Sequence, residues 1–340
     1  MIHEDEAAPA SARTDSGVRI SVALCTYNGA AYIGEQIDSI LAQTRPVDEI
    51  IIGDDASADA TCDIIEARLL AAGVNHRIRR HDPALRVAGN FSDAIGATTG
   101  DVIILCDQDD VWHPDKVARL VDALDPGDPE GPELVHSDAR LVDADGEPLG
   151  SDLLDELGAS RWERDNLIDG DALAVLLHRN LITGATCAVR GDFARAAMPV
   201  PDGWIHDEWL AMLAALDHRL RLLPEALTDY RQHGGNVIGA KKEGMIHRAA
   251  RMLAPDPDDD RRRLVRALSA ADYARATGRG GEEDRARLAE AAAHQRARSL
   301  MPTGRLARIP TILAEALSGR YARCSRGVLT LGRDLLQVKE

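Results

Sequence analysis

Val102-Ile-Ile-Leu-Cys106 runs without a break into Asp107-Gln108-Asp109-Asp110. Five apolar residues in a row read as a strand in a sheet covered on both faces, and three carboxylates follow within four positions. In open α/β sheets ligands bind outside the carboxyl ends of the strands, so these charges fall where a ligand is met. A hard cation such as Mg²⁺ or Mn²⁺ takes one or two carboxylates and fills its shell with phosphate oxygens and water. Asp107 and Asp109 have the spacing for that role, with Asp110 a third candidate.

Toward the N-terminus, apolar runs alternate with amphipathic stretches. Val18–Cys25, Glu49–Gly53 and, more weakly, His76–Arg80 read as strands. Ile33–Leu41, Thr61–Ala72 and Phe91–Thr98 read as helices. Strands alternating with helices of this length predict a mostly parallel α/β sheet, in which Val102–Cys106 is the fourth strand. Past the loop Pro126–Pro132 a strand restarts at Leu134–Ser137, and Asp143-Ala-Asp-Gly146 suits a hairpin. A helix is expected at Ala172–His178, a strand at Ala185–Val189 and a helix at Asp207–Leu216. The resulting division is a disordered leader at 1–17, a catalytic domain at 18–240 and a basic helical region at 241–340.

Charge supports the same division. The net charge of −16 separates into 21 basic against 13 acidic residues from Lys241 onward, +8, and 19 against 43 before it, −24. An acidic half does not attract a phosphate-rich ligand unaided, which favours a divalent cation. The basic C-terminal region points to an anionic surface, a membrane first. From Arg305 to Glu340 seven basic residues stand against three acidic ones among Leu, Ile and Val, a composition able to lie on a membrane or to pack against protein. Aromatics at 3% argue against stacking platforms for single-stranded nucleic acid. Five scattered cysteines fit reduced thiols in the cytoplasm. The first residues carry no apolar signal-peptide core, and no stretch approaches the roughly 18 apolar residues of a spanning helix. No GxGxxG follows the first strand, which excludes a Rossmann dehydrogenase.

Two further strand ends are polar. Thr26-Tyr27-Asn28 closes the first, where Tyr27 offers a nucleobase a flat face; a plain turn capped by Asn28 fits equally. Asp54-Asp55-Ala-Ser57 closes the second, its carboxylates suited to ribose hydroxyls, to a base N–H or to capping the next helix. The cluster at 107–110 read alone also matches the DxDx(T/V) pattern of haloacid-dehalogenase phosphatases. In that family the motif follows the opening strand, whereas three strand–helix units precede it here.

Thr-Tyr-Asn, Asp-Asp-x-Ser and Asp-x-Asp-Asp in this order resemble glycosyltransferase family 2 over residues 18–240. Gly89-Asn90-Phe91, Gly100-Asp101 and Trp112-x-Pro114-x-Lys116 add to the likeness. The resemblance implies a GT-A nucleotide-sugar-binding fold and inversion at the anomeric carbon. It implies that Thr26, Tyr27, Asn28, Asp54, Asp55 and Gln108 line the donor, and that Asp107, Asp109 and Asp110 serve metal (Mg²⁺ or Mn²⁺) and diphosphate. Trp204-Ile-His-Asp-Glu-Trp209 is similar to the segment carrying the catalytic base, which places that role on Asp207. Its His-Asp form resembles the rhamnosyltransferase-like branch, implying a dTDP-rhamnose donor, with UDP- or GDP-sugars as alternatives. Neighbouring helical positions point about 100° apart, so Glu208 and Asp207 do not both face one site. Tyr230-Arg-Gln-His-Gly-Gly-Asn236 resembles the closing segment of that branch, with His233 as metal or diphosphate ligand and Arg231 and Gln232 as donor-binding candidates. The acceptor implied is a glycan or lipid-linked hydroxyl in cell-envelope or polysaccharide synthesis, reached from the cytoplasm or the inner membrane face. A non-catalytic nucleotide-sugar-binding module is the other reading, against which stands Asp207, since binding needs no base.

Overall fold

The computed structural model describes residues 17–233 and 257–337. The expected leader, Gly17 apart, and the closing Gly234-Gly235-Asn236 lie outside the described residues. In chain order the elements begin β1 (Ile20–Thr26), α1 (Ile33–Leu41), β2 (Glu49–Asp54), α2 (Thr61–Ala72), β3 (His76–Arg80) and α3 (Arg86–Ala97). They continue with β4 (Val102–Cys106), β5 (Val111–Trp112), α4 (Lys116–Leu124), β6 (Leu134–Val142) and β7 (Pro148–Asp152). Then come α5 (Leu153–Glu156), α6 (Arg161–Asp169), α7 (Ala172–His178), β8 (Cys187–Arg190), α8 (Gly191–Ala196), α9 (His206–Leu216) and β9 (Leu220–Arg231). The last are α10 (Pro257–Thr277), α11 (Glu282–Ser299), α12 (Arg305–Leu317), α13 (Arg320–Cys324) and α14 (Val328–Leu336).

Two compact units result. The first comprises the chain to Leu153, Thr183–Val200 and Leu223–Gly235; the second comprises Leu154–Ile182, Pro201–Leu222 and the chain from Asn236. Segments 154–182 and 201–222 group with the C-terminal helices, a return that a search along the sequence does not register.

The first unit is built on one sheet of order β3-β2-β1-β4-β8-β6-β9-β5, with β7 on β6. The four strands read from sequence pair in parallel. Each parallel neighbour needs a crossover, which the intervening helices supply. The β4–β8, β8–β6, β6–β7 and β9–β5 pairs are antiparallel. The hairpin from β6 into β7 turns where expected, the Asp143 carboxylate accepting from the Asp145 and Glu147 N–H groups at 2.9 Å. Ile20, Val22 and Leu24 of β1 and Ile50 and Ile52 of β2 are buried with Ile33, Ile37 and Ile40 of α1 and Ile65 and Leu69 of α2. Gly53 lies so close to Asn90 that a Cβ would stand 2.1 Å from its Oδ1; the Asn90 amide donates to the Gly53 carbonyl at 2.8 Å. The helix expected at Phe91 starts at Arg86, because Asp55, from another strand end, accepts from the Leu85 and Arg86 N–H groups. A cap supplied from 30 residues away leaves no local signature. Strand β9 escapes sequence reading because Pro224, Glu225 and Asp229 interrupt its apolar pattern.

The second unit is not held by apolar contacts alone. Trp209 packs edge to face on Tyr273 and at a tilt against Trp204. The Arg298 guanidinium, 1% exposed, donates to both Asp334 oxygens at 2.7 and 2.8 Å, and the Tyr321 hydroxyl reaches Asp334 at 2.8 Å. Arg308, equally buried, donates to the carbonyls of Pro302, Thr303, Asp334 and Gln337. Breaking a buried pair of this kind costs about 3–5 kcal/mol, so these arginines belong to the interior.

Burial also fixes the protonation of His136 on β6, whose imidazole is pushed down to about 4 by desolvation. Between pH about 4 and 6.5 the unfolded chain binds a proton that the folded chain refuses, so stability falls as pH drops through that window by up to about 1.4 kcal/mol per pH unit. Denaturant melts at pH 7 and 5 should show a smaller loss for His136→Gln than for the parent; equal slopes would contradict the assignment.

Candidate nucleotide-sugar site

The parallel register sets Thr26 opposite Asp54 and Leu24 opposite Cys106, so three polar strand ends share one edge of the first unit. Much of their hydrogen bonding is internal. Thr26 Oγ1 donates to Asp54 Oδ2 at 2.8 Å, while Ser57 gives its N–H to Asp54 Oδ1 at 3.0 Å and its hydroxyl to Oδ2 at 2.6 Å. Asn28, with φ +48°, accepts from the Ala58 N–H at 2.8 Å and gives its own N–H to Ser57 Oγ at 2.8 Å. Thr26, Asn28 and Asp54 thus staple the β1–α1 and β2–α2 loops, and Asp55 holds the start of α3. These four, expected to line the donor, act first as its scaffold.

Gln108 clamps the main chain of Tyr27, accepting from its N–H at 2.8 Å and donating to its carbonyl at 3.1 Å. The clamp requires Gly29: a Cβ there would stand 2.2 Å from Gln108 Oε1. With its main chain fixed, the Tyr27 ring projects at 58% exposure, free to meet a nucleobase. Asp107 and Asp109, on either side of Gln108, are partly exposed.

Asp110, the third candidate for the metal, differs from its neighbours in burial. It is 1% exposed, and its Oδ1 accepts from the Arg231 N–H at 3.1 Å. Burial first, then the charges of Asp109 and Asp107, push its carboxyl well above the usual range. Its Oδ2 has no hydrogen-bond partner among the described residues. No group of three or more His, Cys, Asp and Glu gathers as a metal set among those residues. What does converge is a pair: His233 Nε2 lies 2.7 Å from Asp109 Oδ2. A carboxylate and an imidazole are donors that divalent metals accept, with phosphate oxygens and water completing the shell, so the residues present fit such an ion.

Arg231, a donor-binding candidate from the sequence, is 3% exposed and acts as a strut. Its guanidinium donates to the Asp109 carbonyl at 2.9 Å, the Ala144 carbonyl at 2.9 Å and Glu35 at 2.5 Å. Gln232 gives its N–H to the Val142 carbonyl at 2.8 Å. The strand-like backbone of this segment turns Arg231 inward and leaves His233 facing Asp109.

Three contributors were not singled out from sequence. Tyr32 stacks on His233 at 4.7 Å and lies under the Arg231 guanidinium at 5.1 Å, orienting the imidazole; an aromatic in a loop gives no local sign of this. Glu35 anchors Arg231. Lys116, noted only as part of a spacing, is fully buried and donates to the Ala185 carbonyl at 2.6 Å and Thr228 Oγ1 at 2.8 Å. Burial pushes its amine down to about 8.

Asp207 stands on α9 of the second unit. The helix N-cap is Ile205 and receives no side-chain cap; Asp207 Oδ1 instead accepts from the Glu208 N–H at 2.7 Å. Glu208 is held by Arg266 at 2.5 Å, and burial raises its carboxyl above the ordinary value. His206 is pushed down to about 3 by burial and is neutral at pH 7.

Known proteins resemble this chain in sequence and in fold. Residues 21–133 match the family model described as glycosyl transferase family 2. The chain is 31% identical over 226 residues to the uncharacterized protein Rv1520 of Mycobacterium tuberculosis, covering 64% of this chain and 60% of that one. It is 29% identical over 230 residues to the uncharacterized glycosyltransferase alr2836 of Nostoc, covering 64% and 66%. It is 30% identical over 105 residues to the dTDP-rhamnosyl transferase RfbG of Shigella flexneri, covering 30% and 36%. Among solved structures, S. aureus TarS 1–349 with UDP-GlcNAc superposes with TM-score 0.56 at 15% identity, covering 93% of this chain and 89% of that one. The mannosyltransferase PcManGT of Pyrobaculum calidifontis with GDP-Man and Mn²⁺ gives 0.53 at 18%, covering 96% and 84%. The fold is that of the GT-A glycosyltransferases. Within that class, the match to glycosyltransferase family 2 covers residues 21–133. It spans 60% of the length of the mycobacterial relatives it matches.

If Arg231 is a strut, Arg231→Met should lower unfolding stability by about 2 kcal/mol or more, the cost of losing hydrogen bonds to a charged group. Chemical denaturation reads this directly; a variant that unfolds like the parent would return Arg231 to the rim.

Proposed function

We propose that the chain is an inverting glycosyltransferase that moves a sugar from a nucleotide-activated donor to a hydroxyl of a glycan or lipid-linked acceptor in cell-envelope or polysaccharide synthesis. The observation carrying this reading is the Asp109–His233 pair at the same edge as the exposed Tyr27 ring. Gln108 ties Tyr27 to the acidic cluster, so nucleoside and diphosphate candidates share one rim.

In this reading Tyr27 stacks on the base, and Thr26, Asn28, Asp54 and Asp55 keep the rim in shape around it. Asp107, Asp109 and His233 would hold Mg²⁺ or Mn²⁺, which would supply positive charge at the diphosphate. Asp207 takes the acceptor hydroxyl's proton as that oxygen attacks the anomeric carbon. The Arg266 pair keeps Glu208 out of the proton transfer. TarS and PcManGT, crystallised with a UDP- and a GDP-sugar, support a nucleotide-sugar donor; RfbG and the His206-Asp207 form favour dTDP-rhamnose. A phosphatase with Asp107 as nucleophile is disfavoured, because β4 is the fourth parallel strand along the chain and the domain matches another family. We place the enzyme in the cytoplasm with peripheral contact to the inner membrane face through residues 241–340; among the described residues no helix is long and apolar enough to cross a membrane.

Thermal shifts with dTDP, UDP and GDP, each with and without Mn²⁺, should show stabilisation that needs nucleotide and ion together and that His233→Ala weakens. Asp207→Asn should keep that stabilisation while turnover falls about 10²–10⁴-fold, and Glu208→Gln should retain turnover. The reverse pattern, with Glu208→Gln inactive and Asp207→Asn active, would overturn the assignment of the base.

A further inference from the structure

Most of the protein's exposed aliphatic surface lies at the end of the described chain. On α12, Leu306, Ile309, Leu313 and Leu317 are 83, 37, 55 and 88% exposed. At 3.6 residues per turn these four fall within an arc of about 80°. Ile312 and the buried Arg308 and Glu315 occupy the opposite side. Val328 and Leu329 of α14 are likewise 84 and 51% exposed. The leucine stripe is therefore left over after the helix has already packed.

Charge identifies what would cover it. Between 305 and 337 the carboxylates are Glu315 and Asp334, both buried: Glu315 against His294 at 2.7 Å and Arg320 at 3.0 Å, Asp334 against Arg298 at 2.7 Å. Arg305, Arg323 and Arg326 are exposed, with Arg323 paired to Glu290 of α11 at 2.6 Å. The surface of these helices shows leucines and arginines and no carboxylate of its own, in a chain whose net charge is −16. A symmetric contact with a second copy would set the same arginines against each other. A bilayer with anionic headgroups takes both features, chains receiving the leucines and headgroups the guanidinium ions.

We propose that the Leu306–Leu317 face of α12, with the exposed aliphatic residues of α14, is a docking surface for an anionic phospholipid bilayer. This rests on the reading above that the enzyme works at the inner membrane face, and it narrows the contact from the whole basic region to one helix face.

Flotation of the full-length protein with phosphatidylcholine vesicles, and with vesicles holding roughly a quarter phosphatidylglycerol, tests it. The parent should float with the anionic vesicles, weakly with the neutral ones, and less as salt is raised. Leu306→Asp with Leu317→Asp should reduce partitioning on the order of tenfold or more per leucine, with the thermal melt and donor hydrolysis unchanged. Arg305→Gln with Arg326→Gln leaves the leucines in place and should weaken binding to anionic vesicles alone, which keeps the test decisive if the aspartates disturb folding. A parent that ignores both vesicle types, leucine variants that float like the parent, or a dimer that the leucine variants dissociate without any vesicle binding would each overturn the proposal. Donor turnover is read separately, so a protein that floats without transferring sugar would sink the transferase reading and leave this one standing.

Discussion

The parallel pairing of β1 with both β2 and β4 is the constraint on which the site depends. Its register puts Thr26 beside Asp54 and leaves Cys106 beside Leu24, so the residues that follow each strand emerge along one edge. Parallel strands cannot turn back on themselves; each is followed by a loop into a helix, and those loops supply the polar residues. The sheet interior explains why the edge holds its shape. Ile20, Val22 and Leu24 are fully buried, as are Ile50, Ile52 and Val102 through Leu105, and a one-residue slip would carry buried groups to the wrong face.

Once that edge is set, electrostatics decides the rest. Asp107, Asp109 and Asp110 follow one another within four residues, and three like charges so placed repel. The structure resolves the conflict by separating their environments. Asp110 goes inside with a raised pKa and one oxygen on the Arg231 N–H. Asp109 faces His233, and Asp107 stays partly exposed. Buried Lys116 contributes cationic charge from below, though Ala185 and Thr228 take its hydrogen bonds. The rim that remains is acidic, which is why a phosphate-bearing ligand there calls for a cation as partner.

Sequence reading works where structure is local and fails where it is not. The alternation of apolar runs and amphipathic stretches recovers β1 to β4, α1 and α2 nearly to the residue, because burial on both faces writes itself into consecutive Val, Ile and Leu. The Asp143–Gly146 turn is legible for the same reason. Asp55 is the opposite case: its carboxylate looks like a ligand for a sugar or base, but it caps a helix far along the chain. Arg231 looks like a phosphate ligand by its neighbours and is a buried strut. In each case residue type is right for binding, and long-range geometry decides which partner gets it. Tyr32 carries no chemical signature and still orients His233.

The C-terminal region shows the same limit for charge. Its excess of arginine suggests a basic surface, yet Arg298 and Arg308 are interior, where Asp334 satisfies the first and four carbonyls satisfy the second. What changes the character of the outside is the accompanying removal of carboxylates. By drawing Glu315 and Asp334 inward, the buried arginines and His294 take negative charge off the face that α12 and α14 present. The remaining surface is defined by Arg305, Arg326 and a stripe of leucines, so its basic character follows from the distribution of acids rather than from the number of bases.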